Sequence, residues 1–385
     1  MLNQSRVFPT LSPTRYPRFV MDQVLKLNQG GCPPTETTAV NDKEVWEVPQ
    51  NIGELTVSKL LVHPIKSCRG TSLSGVRYTP EGLENDRKWC IITADTHTIL
   101  TAREIASMVL ISPRIEYDET SPYGGKLVVS FPPESECHSF EVALSPTPDV
   151  VSQWELVDDC TMFKVVEVDG YICQALHPAS SSPSEVLSKY FGRPVHLVMK
   201  GPKRRACFQT QTFPNLDASA VYQDGFPLLV ASDESLEKVG DEVNRWASGE
   251  VDGETIGGID DLWKTSRVPI ERFRPNVVFH GAGVPFVEDM IKELVISSSR
   301  DTPENGIPIN LVSKCTRCLL PNVDPLAGVR DKAVPYKVLM KFRRGMDPAK
   351  PGKACFGCNG VPKGSGVIRV GDFVHVREWA GPGGV

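Results

Sequence analysis

The sequence predicts a mostly β chain with short helices (α+β), arranged as two barrel-like domains. Three observations predict it. Gly 31 and Pro 32 among 385 residues make a turn-rich chain rather than a helical bundle. Apolar residues fall in short runs, several with period-two alternation, bounded by Gly, Pro or acidic turns. The helical stretches are brief and marked by capping residues. At about 150 residues per domain, the length gives two domains. Hydrophobic residues at 40% and charged residues at 23% allow a sizeable core and exclude a disordered chain. A net charge of -5 argues against a general nucleic-acid coat, which needs a basic face. No apolar run approaches the ~18 residues of a membrane-spanning helix.

Along the chain, residues 1–50 read as a flexible N-terminal extension. Arg6, Arg15 and Arg18 precede the first acid, Asp22. Mitochondrial targeting segments share that acid-poor character, and so does a plain disordered tail, so a cytoplasmic and a mitochondrial protein are both compatible. Regular structure begins at Leu55, where LTVSKLLVHPIKS alternates as a strand running into a turn at Pro64. Further strands are KWCIIT, KLVVSF, FKVVEV and VHLVMK. Thr101 and Glu104 fit a capping box, and so do Ser182 and Glu185, with Pro183 at the first helical position and Gly192 as the stop. The basic-then-polar stretch GPKRRACFQTQTFPNLDAS marks a boundary, giving domains 51–200 and 201–385. After it, FPLLVAS is a strand, and Leu236, Val239, Val243 and Trp246 lie at helical spacing. SGEVDGETIGGIDD is a long loop. FRPNVVFHG, KELVISS and INLVSKCTRC follow, and VIRVGDFVHVRE reads as a closing hairpin around a Val-Gly-Asp turn.

Four places can carry chemistry. His63-Pro64-Ile65-Lys66-Ser67-Cys68-Arg69-Gly70 offers cations, a hydroxyl and free amides in one turn, which suits a phosphate or carboxylate or is simply a solvated basic turn. Arg87, at a strand entrance, faces an anionic ligand or pairs with Asp86. In Phe273-Arg274-Pro275-Asn276, Pro275 stiffens the backbone that presents Arg274 and Asn276. The eleven cysteines are an odd number in a long chain without a secretory signal, so a disulfide framework is not expected. Four of them form Cys315-Thr316-Arg317-Cys318 and Cys355-Phe356-Gly357-Cys358, 36 residues apart. Two C-x-x-C pairs suit a four-cysteine zinc site, although the gap exceeds the usual roughly 15–20 residues. An iron–sulfur cluster, a single thiolate activated by Arg317, or packed small hydrophobes also fit.

Five stretches, in order and spanning residues 55 to about 378, resemble the pattern of the MOSC proteins (molybdenum cofactor sulfurase C-terminal domain), in particular the amidoxime-reducing component type of mitochondria. They are LVHPIKSCRG; ENDRKW with LTARE; FRPNVVFHG; CTRCLLPNVDPLAG; and GKACFGCNG with VIRVGDFVHV. The resemblance implies an N-terminal MOSC-type β-barrel followed by a β-barrel MOSC domain. It implies a molybdenum cofactor (Mo-molybdopterin) ligated by the second cysteine of C-x-R-C, here Cys318, which is also the catalytic residue. It implies cofactor contacts from Lys66, Ser67, Arg87, Arg274, Arg317 and Asn359. The activity implied is reduction of N-hydroxylated substrates, with electrons from NADH through cytochrome b5 reductase and cytochrome b5. The sequence departs from the pattern in two places. Asp224-Gly225-Phe226-Pro227 carries no hydroxyl where the family often offers one, and Cys355 and Cys358 lie outside the amidoxime-reducing pattern. Two rivals remain on the same residues: a sulfur carrier or tailoring enzyme acting on one metabolite, and a non-catalytic four-cysteine zinc module. MOSC domains of the cofactor sulfurases also follow a pyridoxal-phosphate enzyme, whose signature is not visible here.

Overall fold

The computed structural model describes residues 52–177, 181–301 and 306–385, together with Pro49. The expected extension 1–50 lies, Pro49 apart, outside the described residues.

Seven strands close into a barrel. Around it run Val277–His280, Leu228–Ser232, Cys355–Pro362, Pro308–Thr316, Ile291–Ser297, Phe373–Trp379 and Thr56–Val62, which pairs back onto Val277–His280. A short strand, Thr71–Leu73, is added to Thr56–Val62. Leu228–Ser232 and Val277–His280 are parallel, because helix Asp233–Ala247 carries the chain back to the same end of the barrel. The other pairings in the barrel are antiparallel.

Period-two alternation sorts the side chains. Leu60, Val62, Val230 and Phe279 fill the barrel interior. Leu61, Ala231 and Val278 face the other way and pack under Val239, Val243 and Trp246 of the helix, as the helical spacing predicts. Ser232 caps that helix by accepting from the Ser235 amide. Phe356 and Cys358 break the alternation: Phe356 packs outside and Cys358 inside. Gly357 between them has φ 71, and the register with Pro308–Thr316 shifts beside it. A Cβ on Gly357 would stand 2.7 Å from the Val230 carbonyl oxygen, so only glycine makes this bend.

The rest of the N-terminal half is the second β unit. A four-stranded sheet runs in the order Trp89–Thr93, Val195–Lys200, Val166–Ile172, Leu156–Met162. A three-stranded sheet of Ser112–Tyr117, Gly125–Ser130 and Phe140–Ala143 shares its core through Trp89, Ile91, Leu197, Leu127 and Val129. Helix Pro183–Phe191 has the expected capping box between Ser182 and Glu185, and Gly192 ends it in the left-handed conformation.

Several expectations need correction. Thr101 does not cap a helix: residues 102–104 form a turn, and the 3-10 helix Ala106–Leu110 starts after Ile105 without a side-chain cap. Thr101 Oγ1 instead donates to Glu104 at 3.4 Å. In FKVVEV, Phe163 and Lys164 have φ 56 and 63 and make the turn before strand Val166–Ile172. The closing hairpin does not form: Gly366–Arg369 pairs with Gly75–Thr79, while Phe373–Trp379 enters the barrel. The boundary near residue 200 divides the chain but not the sheets, since Thr56–Val62 closes the barrel of the C-terminal half.

Candidate functional site

The barrel-closing strand Thr56–Val62 leads directly into the His63–Gly70 turn. Three backbone bonds fasten this turn to the next loop: Lys66 N to Trp89 O at 2.8 Å, Arg87 N to His63 O at 2.8 Å and Trp89 N to Pro64 O at 3.1 Å. Ser67, Arg87 and Arg274 have φ of 68, 51 and 59. Left-handed backbone at non-glycine residues is costly and gathers at functional sites. Here it falls on three of the residues singled out from the sequence.

A continuous path of contacts links the separate motifs. Arg87 donates from Nη1 to both Asp86 carboxylate oxygens at 2.7 Å and from Nη2 to the Arg274 carbonyl at 3.1 Å. Arg274 Nη1 donates to the Cys68 carbonyl at 2.7 Å. Arg317 Nη2 donates to the carbonyl of the neighbouring Phe273 at 2.8 Å, and its Nη1 to Cys315 Sγ at 3.1 Å. Lys66, Arg87, Arg274 and Arg317 therefore lie in one connected cluster, with Cys318 at its end. Lys66 Nζ donates to the Tyr222 carbonyl at 2.7 Å and pairs with Asp224.

The cluster carries more positive charge than it neutralises. Burial and the nearby Arg87 push the Arg274 guanidinium down to about 9. Burial also lowers Lys66, with Asp224 opposing. His63 is driven well below its usual range by burial, then by Arg274 and Arg87, so it is neutral at pH 7. Asp86 is the internal counter-ion: burial works against its charge, but Arg87 outweighs that and holds it at about 2. Donors are left over as well. Arg274 Nη2, Arg317 Nε and Arg69 Nε are buried without a hydrogen-bond partner. Unpaired buried guanidinium nitrogens are costly, and an anionic, acceptor-rich ligand would satisfy them. That is the donor chemistry a pterin phosphate with its fused heterocycle calls for.

The two C-x-x-C pairs separate. Thr316 faces Cys355 across the strands and Lys314 faces Cys358. Cys355 and Cys358 are fully buried, and burial followed by Asp289 pushes Cys355 up to about 12 and Cys358 well above its usual range. Cys315 and Cys318 are partly exposed. Among the described residues, no group of three or more His, Cys, Asp or Glu side chains is placed to hold a metal ion. The four-cysteine site therefore finds no support, and Cys315 and Cys318 are the two partly exposed thiols of the four. Asn359 turns to Ser313 Oγ at 3.0 Å and the Lys314 carbonyl at 3.5 Å.

Sequence reasoning missed two residues of the N-terminal β unit. Lys66 Nζ and the Arg103 guanidinium lie 5.4 and 4.6 Å from the centre of the Phe163 ring. Phe163 reads as a strand residue, and no local signal marks it. Asp224 stands out in the sequence only as a missing hydroxyl, yet it is the acid that Lys66 pairs with.

Residues 54–169 match the model of the MOSC N-terminal beta barrel domain, and residues 217–375 match that of the MOSC domain. The chain is similar to "Mitochondrial amidoxime-reducing component 1" of Mus musculus, 30% identical over 85% of this chain and 83% of the relative. It is also similar to "Mitochondrial amidoxime reducing component 2" of Bos taurus at 27% and of Homo sapiens at 28%, each over 85% of this chain and 84% of the relative.

Proposed function

This chain belongs to the MOSC family, and on that premise we propose that it is a molybdenum-cofactor-dependent oxidoreductase that reduces N-hydroxylated substrates. The observation that carries the proposal is the row of unpartnered guanidinium nitrogens on Arg274 and Arg317, lying between Lys66 and Cys318.

Each residue has a role in this reading. Lys66 and the Ser67 hydroxyl hold the pterin phosphate, with Asp224 releasing Lys66 toward it. Asp224 is well exposed and can turn to solvent. Arg274 and Arg317 donate to the pterin from their unpartnered nitrogens. Arg87 is anchored on Asp86 and steadies the Arg274 backbone. Asn359, whose amide nitrogen is turned to Ser313 and the Lys314 carbonyl, is the remaining cofactor contact that the family resemblance implies. Cys318 supplies the soft sulfur ligand to the metal. When bound, the cofactor supplies a two-electron couple and an oxygen-accepting metal, which the cleavage of an N–O bond needs. The electron donors are of the cytochrome b5 and NADH-cytochrome b5 reductase type, in mitochondria or cytoplasm. Among the described residues no helix is long and apolar enough to cross a membrane.

The test is elemental and pterin analysis of protein made in a cofactor-competent host, followed by benzamidoxime reduction with NADH, cytochrome b5 and its reductase. Stoichiometric molybdenum and pterin with turnover are expected. Zinc without pterin, or persulfide on Cys318 without turnover, would defeat the proposal.

A further inference from the structure

Arg274 and Arg317, which carry unpartnered nitrogens, share one neighbour, Phe273. Arg274 is the next residue in the chain and has anchors of its own: its Nη1 donates to the Cys68 carbonyl at 2.7 Å, and Arg87 Nη2 donates to its carbonyl at 3.1 Å. Arg317 rests on Phe273 itself and on Cys315. Its Nη2 donates to the Phe273 carbonyl at 2.8 Å, its Nη1 donates to Cys315 Sγ at 3.1 Å, and its guanidinium carbon lies 5.6 Å from the centre of the Phe273 ring. That ring is stacked on Phe356, with centroids 3.9 Å apart and planes 23° from parallel. Both rings are fully buried. The backbone closes the same loop, because the Arg317 amide donates at 2.8 Å to the carbonyl of Ala354, two residues before Phe356. Phe356 itself stands between the sealed cysteines. Gly357, with φ 71, makes the bend that leaves Phe356 outside the barrel and Cys358 inside.

A long side chain loses rotational freedom when it binds, and one already fixed by packing loses less. Resting on the proposed cofactor reading, we infer that Phe356 is a positioning residue for the cofactor: by stacking on Phe273 it fixes the carbonyl and ring that orient Arg317, so that Nε meets the pterin already aligned. Phe356 is fully buried, so it acts through Phe273 and Arg317 and not by contact. The segment from Cys355 to Cys358 thereby has a use that needs neither of its thiols, as the mount for an aromatic ring. A purely structural phenylalanine would matter equally whatever stands at position 317. A positioning one matters to the cofactor only while Arg317 is present.

The experiment uses the full chain made in a cofactor-competent host. Retention is read as the half-life of protein-bound pterin after dilution, from fluorescence after oxidation. Phe356→Leu keeps an apolar side chain and removes the stacked ring, and it is expected to shorten that half-life about tenfold. In an Arg317→Met background the same substitution should change it by no more than about twofold. Equal shortening in both backgrounds overturns the inference, because a structural effect adds and a positioning effect does not. Val243→Ala, in the same apolar cluster, should lower Tm and leave the half-life as it was. Pterin loss from that variant as well would also overturn the inference. A second readout needs no cofactor. With isotope-labelled arginine, nuclear magnetic resonance follows the Arg317 Nε–H signal, identified by its absence from Arg317→Met. It should exchange slowly with solvent in the unaltered chain and about tenfold faster in Phe356→Leu. The signal of Arg205, whose Nε is held by the Ala220 and Val221 carbonyls, should not change. Fast exchange at Arg317 in the unaltered chain overturns the inference even if Phe356→Leu does not fold. The two proposals fail separately. A chain that holds no pterin sinks the cofactor reading, and exchange still decides whether Phe356 fixes Arg317. Pterin bound with additive losses does the reverse.

Discussion

Two copies of one motif, Cys-x-x-Cys, sit on neighbouring strands in opposite surroundings. Cys355 and Cys358 are sealed in the protein, next to Asp289, with their thiols pushed up by burial. Cys358 Sγ lies 3.5 Å from Asp289 Oδ1, and Arg343 pairs with the same carboxylate. Cys315 and Cys318, at and just beyond the end of strand Pro308–Thr316, are partly exposed, and Arg317 Nη1 donates to Cys315 Sγ at 3.1 Å. Spacing alone makes the pairs equivalent. Burial sets the second pair apart, because a low-dielectric site beside a carboxylate disfavours the thiolate of Cys355 and Cys358.

The sharpest way to break this comparison is to exchange the pairs' fates. Cys318→Ala is expected to abolish benzamidoxime reduction with the fold intact by circular dichroism. Cys358→Ala should retain turnover and lose stability instead, by about 1–2 kcal/mol for a small buried side chain, read as a Tm a few degrees lower. If the reverse holds, the assignment of the ligand is wrong.

Arg274→Met is next in size. It should strip pterin and molybdenum from the purified protein, measured by fluorescence after oxidation and by elemental analysis. The cofactor-free form should be no less stable than the unaltered one, because the substitution removes a buried charge that Arg87 repels. A marked fall in Tm would make Arg274 a structural residue.

The sealed pair has a titrating neighbour. Burial, and then Asp289, raise the Glu288 carboxyl to about 7. A carboxyl raised in the folded state holds its proton where the unfolded chain has released it, so stability is lost as pH climbs from about 4 toward 7. Glu288→Gln keeps the shape without the charge and should raise Tm at pH 8 more than at pH 5, by scanning calorimetry. Equal shifts at both pH values would show that the carboxyl is ionised throughout.

Asp86 titrates in the opposite sense. Held at about 2, its contribution is complete above the unfolded value of about 4 and is lost as pH falls through 2. Asp86→Asn should therefore destabilise at pH 7 and cost progressively less below pH 4. A pH-independent loss would point to packing rather than charge.

Much of the architecture is legible because it is local. Alternation in Thr56–Val62 and Trp89–Thr93, helical spacing in Asp233–Ala247 and the Ser182 cap each need only a few neighbouring residues. The failures are those of pairing. Gly366–Arg369 and Phe373–Trp379 look like a hairpin because they are adjacent and share a turn, but each finds its partner far away in the chain. The site divides the same way. Lys66, Ser67, Arg87, Arg274 and Arg317 announce themselves as cations and hydroxyls in tight turns. Phe163, Arg103 and Asp224 matter only through what folding brings against them, and no spacing rule finds them.

The strand Thr56–Val62 is among the first described segments of the chain, and it is also the one that shuts the barrel. Ser58 reaches the Val278 carbonyl across a separation of 220 residues. During synthesis this strand leaves the ribosome long before its partner exists, and it waits as an unpaired edge while the N-terminal β unit folds behind it. The turn holding Lys66 is welded to that strand, so half of the cation cluster cannot meet Arg274 and Arg317 until the last strands arrive. On the proposed function, loading of the cofactor would thereby be deferred to a finished chain. A truncation or bulky fusion placed at Thr56 would be read by the cell as a barrel left ajar.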